Sequence, residues 1–98
     1  MILYEVTLQA EPAVAPALEE YMIQSHIPDI FTTGCFRRIR FSGASSVRFR
    51  TSYQADTPAE LDRYLHDHAP RLRAEFLEKF PAGVTITRET WIQREVWG

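Results

Sequence analysis

Two histidines in this chain stand two residues ahead of a proline, His26 in HIPD and His68 in HAPR. Proline brings no backbone donor and frees a carbonyl of the turn before it. An imidazole at that place can cap the freed carbonyls, or it can act as a general base or acid near neutral pH. Metal binding has less support, because His66 and His68 point to different helix faces and share no ligand spacing with His26. Asp29 is near enough in sequence to orient His26, and equally placed to cap the turn after Pro28. Cys35 reads as a small buried thiol rather than a nucleophile. Tyr21, Tyr53 and Tyr64 fall on or near the apolar faces, where a hydroxyl either meets a ligand or finds one hydrogen-bond partner.

A second concentration of chemistry lies at residues 36–50, FRRIRFSGASSVRFR, which hold five of the 11 Lys and Arg residues. An arginine without a partner holds a carboxylate or phosphate through two parallel bonds. The same residues also suit ion pairing on a sheet face that meets another subunit, or a nucleic-acid stripe. The last is weakest: the formal net charge is -2, and VRFRTSY lacks the glycine and aromatic run of an RNA-binding sheet.

Strands and helices must place these groups. Ile2, Tyr4, Val6 and Leu8 alternate with Leu3, Glu5, Thr7 and Gln9, the period of a half-buried strand. A helix follows, with Pro12 in its first turn and an end or bend near His26, and Asp29 to Phe31 form a short extra turn. CFRRIRF (35–41) and VRFRTSY (47–53) form a hairpin about SGASS. Thr57, Pro58 and Glu60 open a second helix through a capping box, and Pro70 kinks or splits it. Residues 84–97 form a long last strand.

Strand, helix, strand, strand, helix, strand predicts an α+β, ferredoxin-like βαββαβ domain spanning residues 1–98, with a four-stranded antiparallel sheet and two helices on one face. Alternation then sends Ile39, Phe41, Val47, Phe49, Tyr53, Val84 and Ile86 toward the helices. The bare face receives Leu3, Glu5, Phe36, Arg38, Arg40, Arg48, Arg50, Ser52, Glu89 and Trp91, with Arg37 an exception. Such a mixed face suits a partner protein or a guarded cavity.

Composition sets the outer limits. Apolar residues make up 45% of 98 and charged residues 24%, as in a globular protein with a core. A lone cysteine forms no internal disulfide, the start MILYEVTLQ lacks a signal-peptide pattern, and no apolar run spans a membrane, so a cytoplasmic protein is expected. Phosphate-cradling glycine loops, CxxC, HExxH and GxSxG are absent, and no cofactor or metal is expected.

HIPDIFTTGCF (26–36), LDRYLHDHAPRLRAEFLEKF (61–80) and the opening MILYEVT resemble a small bacterial family of unknown function in the dimeric α/β-barrel superfamily. That superfamily also holds antibiotic-biosynthesis monooxygenases and EthD-like proteins. The resemblance implies a homodimer whose bare sheet faces close into a barrel lined by the arginines. It implies pockets between sheet and helices or at the barrel ends, and in enzymatic members oxygenation without metal or flavin. His26, Pro28, Asp29, Gly34, Cys35, Phe36, His68, Pro70 and Arg71 are the matching positions.

The expected function is that of a small-molecule binding or accessory protein, its ligand an anionic small molecule, with the pocket drawn from His26, Arg38, Arg50, Tyr53 and His68. A cofactor-independent monooxygenase or isomerase, with His26 or His68 as base, is the alternative. A purely structural dimer module is the third.

Overall fold

The computed structural model describes residues 1–98. Strand β1 (Ile2–Ala10) is followed by α1 (Ala15–Tyr21), a π-helical turn (Met22–His26) and α2 (Ile27–Phe31). The hairpin β2 (Arg38–Gly43) and β3 (Arg48–Ala55) comes next, then α3 (Pro58–Asp67), α4 (Ala69–Lys79) and β4 (Val84–Ile92). The sheet order is β2-β3-β1-β4, and every pairing is antiparallel. This is the ferredoxin-like arrangement, with the helices stacked on one face.

The strand pattern forms where alternation can bury one side. Ile2, Tyr4 and Leu8 are buried from β1, Phe49, Thr51 and Tyr53 from β3. Two apolar clusters result, one around Tyr4, Tyr53, Phe36, Tyr64 and Leu61, the other around Leu8, Leu18, Met22, Phe49 and Phe76. Val6 touches both.

Several expectations change. The first α-helix begins at Ala15 with Pro16 in its opening turn, so Pro12 lies ahead of it. The helix does not break at Pro28. It widens instead: the Ile27 N–H reaches back to the Met22 carbonyl, five residues away, and the wider turn spares the proline ring its clash with the preceding turn. Pro70 does split the second helix, leaving His68 as the junction between α3 and α4. The capping box at Thr57 is half formed. Thr57 Oγ1 accepts from the Glu60 N–H at 3.3 Å, while the Glu60 carboxylate turns to Arg63 at 2.8 Å.

Phe36 is buried in the core rather than set on the bare face, against Tyr64 at 4.9 Å and Tyr53 at 5.2 Å between ring centroids. Gly34, at φ 75°, turns the chain, and the pleat starts only at Arg38, so strand alternation does not reach position 36. Arg37 is exposed and pairs with Asp56 at 2.6 Å. The last strand stops at Ile92 rather than running to residue 97, and a single further bond joins the Gln93 N–H to the Met1 carbonyl. No helix is long and apolar enough to cross a membrane.

Candidate functional site

Where the two apolar clusters fail to merge, a cavity of about 250 Å³ opens between the sheet and the helices. Tyr4, Val6 and Leu8 from β1, Tyr53 from β3 and Ile86 from β4 form its floor. Met22, His26 and Ile30 close one wall, Tyr64, Phe76 and Leu77 the other, and Arg73 and Arg88 are its charged members. Pockets of this kind hold small ligands by apolar burial and orient them through a few polar groups.

His26 is a polar, half-buried member of this lining. Its Nδ1 is sealed from solvent and has no hydrogen-bond partner, so the histidine caps no carbonyl. Desolvation lowers its pKa to about 4, against the weaker upward pull of Asp29 and Glu75. The imidazole is therefore neutral at pH 7, one nitrogen a donor and the other an acceptor. Asp29 makes no hydrogen bond to it and uses its backbone carbonyl to accept from Thr32 at 2.7 Å.

The π turn determines where the ring goes. Residues five apart diverge around an α-helix by about 140° at 3.6 residues per turn, whereas a hydrogen bond between i and i+5 stacks them. Tyr21 accordingly lies over His26, with ring centroids 5.7 Å apart and 30° between planes. Phe76 of α4 meets the same imidazole edge-on at 5.4 Å. The wide turn and α4 thus hold the histidine between two aromatic rings.

At the other side of the cavity three tyrosines gather. Tyr4 lies 5.9 Å from Tyr53 and 6.4 Å from Tyr64. Burial raises the pKa of Tyr53, and burial followed by the Tyr4 neighbour pushes that of Tyr64 up to about 12. Both phenols keep their protons. Tyr4 Oη accepts from Arg73 Nη2 at 2.9 Å, which ties α4 to the sheet across 69 residues of chain.

Of the residues singled out in the sequence, the cavity brings together His26, Tyr53 and Tyr64. His68 sits half-buried at the α3–α4 junction outside it. Its side chain caps neither helix. His66 bonds Asp67 at the surface. Cys35 is buried, with its thiol directed to the Thr33 carbonyl at 3.9 Å.

Arg38 and Arg50 are on the opposite, bare face of the sheet. There Glu5 accepts from Ser52 at 3.4 Å and faces Arg50 at 3.8 Å, while Arg38, Arg40 and Arg48 have no ion-pair partner. Glu5 and Glu89 stand directly opposite one another on β1 and β4. The face is therefore basic over β2–β3 and acidic over β1–β4, with Trp91 52% exposed at its rim.

Sequence reasoning passed over Tyr4, Met22, Arg73 and Arg88 as site residues. Arg88 carried a usable signal, since it shares strand parity with Val84 and Ile86 and a charge in an apolar set implies a polar task. Arg73 carried none, because its partner Tyr4 is far away in sequence. No three His, Cys, Asp or Glu side chains converge as a metal site.

Solved structures share the fold at low identity. A dimeric ferredoxin-like protein from an uncultured marine organism superposes with a TM-score of 0.79 at 10% identity, covering 99% of this chain and 98% of that one. An EthD-family protein of Bacillus halodurans gives 0.69 at 13% identity, covering 91% and 97%. A Streptomyces coelicolor monooxygenase in complex with nanaomycin D gives 0.63 at 15% identity, covering 99% and 92%. A comparison with curated proteins gives no match. Over residues 1–93 the chain matches the profile of a domain of unknown function, and it belongs to that family, DUF4286.

Proposed function

We propose that each chain is one domain whose sheet-to-helix cavity binds a small, mainly apolar aromatic molecule, and that two chains pair through their bare sheet faces. The observation that carries the ligand reading is His26, a neutral imidazole that lines an apolar, aromatic cavity while its Nδ1 has no hydrogen-bond partner. An unpaired buried polar atom costs roughly 1–3 kcal/mol, so the fold bears a cost to set this ring at the cavity wall. Arg38 and Arg50, which suggested an anionic ligand, do not line this cavity, and apart from Arg73 and Arg88 its lining favours an apolar body.

Pairing of the sheet faces is supported by their charges. A two-fold arrangement sets the basic half, with its free Arg38, Arg40 and Arg48, against the acidic half of the other chain. Like charges directly opposite on neighbouring strands, such as Glu5 and Glu89, are unfavourable alone and gain from a cation supplied across an interface. The dimeric neighbour of the same fold agrees with this.

His26 also favours a second reading, cofactor-independent isomerisation or oxygenation by dioxygen. A neutral imidazole can take a proton from an acidic C–H or O–H of the ligand and return it. The monooxygenase among the structural neighbours is in complex with nanaomycin D, and the aromatic walls here suit a flat organic ligand.

Naphthalene titrated into isotope-labelled protein tests the site. Saturable NMR shifts confined to His26, Tyr53, Tyr64 and Phe76 are expected. Shifts on the bare face instead, or none at all, would overturn the ligand proposal.

A further inference from the structure

We infer that Tyr4, with Arg73 bonded to its oxygen, recognises a phenolic or carbonyl oxygen on the ligand, so that the ligand class is an oxygen-bearing aromatic. This rests on the cavity being the ligand site. A phenol oxygen has two acceptor positions and one proton. Arg73 Nη2 occupies one acceptor position at 2.9 Å, and because guanidinium cannot accept, the Tyr4 proton must find its acceptor elsewhere. Tyr4 bonds no other side chain, and it lines the cavity together with Arg73.

A cationic donor on the oxygen polarises the O–H bond and strengthens the hydrogen bond it gives in turn. The aromatic neighbours Tyr53 and Tyr64 hold the Tyr4 ring 5.9 and 6.4 Å from their own. The donor is thereby fixed in direction before any ligand arrives. Arg88 adds a second cationic group to the lining and has no carboxylate partner. The donors on this side outnumber the acceptors, and what is missing is a ligand oxygen.

The alternative role for the Arg73–Tyr4 bond is purely structural, a strap from α4 to β1. Tyr4→Phe separates the two, since it keeps the ring packing and removes the hydroxyl. Wild type and variant would be titrated by NMR with 2-naphthol and with naphthalene, and their thermal unfolding compared. The expected result is that Tyr4→Phe weakens 2-naphthol binding roughly tenfold while leaving naphthalene binding unchanged, and that Arg73→Met weakens 2-naphthol alone to a lesser degree. Equal affinity of Tyr4→Phe and wild type for 2-naphthol would overturn the inference and leave the cavity reading standing. Equal loss of both probes, with a lowered Tm, would assign the bond to structure. Failure of wild type to bind either probe would bring down both readings.

Discussion

His26 is the residue at which packing and chemistry conflict most plainly. In the folded chain it stays neutral down to about pH 4, while its ordinary value is 6.5. The unfolded chain therefore binds more protons between those two values, and stability falls as pH falls through that window, by up to about 3 kcal/mol. Urea unfolding at pH 7 and pH 4.5 is expected to show this loss. His26→Leu removes both the titration and the unpaired Nδ1, so the variant should match wild type within about 1 kcal/mol at pH 7 and lose much less on acidification. An equal pH slope in the two proteins would assign the acid sensitivity to other groups. Position 26 stood out in the sequence through its proline neighbour, with capping and a place in the pocket both open; the structure gives it the second. The wide helical turn, which no periodicity of 3.6 announces, is what sends the ring inward.

At the scale of elements, local chemistry sets the helix starts and long-range packing sets most of what sequence patterns miss. Thr57 caps α3 through a single bond from its side chain, so Thr57→Ala should cost about 1 kcal/mol and lower Tm by several degrees in a chain of this size. Glu60→Ala should cost less, because the return bond of the capping box is absent and only the surface pair with Arg63 is lost. Thermal unfolding of both variants checks the order. The β1 and β3 alternations were legible because each buries one continuous side. Phe36 was not, since Gly34 turns the chain before the pleat begins. The union of Tyr4 with Arg73 was equally hidden, being made only when α4 settles on β1.

For the whole molecule, the two faces of one sheet divide the work. The helix face encloses the cavity within a single chain, and the bare face carries segregated charge and an exposed Trp91. Sedimentation equilibrium should give twice the 11.4 kDa of one chain, and Trp91→Glu should reduce it to that single mass while leaving naphthalene binding intact. Loss of binding together with the dimer would show that the cavity needs both chains. Topology was readable from element order alone, and so was the arginine face, because both depend on periodicity. That the cavity gathers His26 without Arg38 and Arg50 was not, since alternation assigns sides but does not say which side encloses space.

The placement of the aromatic residues also divides the optical spectrum of the protein. Both indoles belong to the chain's last stretch, Trp91 at 52% and Trp97 at 85% exposure, whereas Tyr4, Tyr53 and Tyr64 are each buried to 5% exposure or less. Indole emission therefore reports association of the bare faces, and near-ultraviolet dichroism of the phenols reports the packed interior. Dilution should move the first signal and leave the second in place, and mild heating of the separated chains should do the reverse.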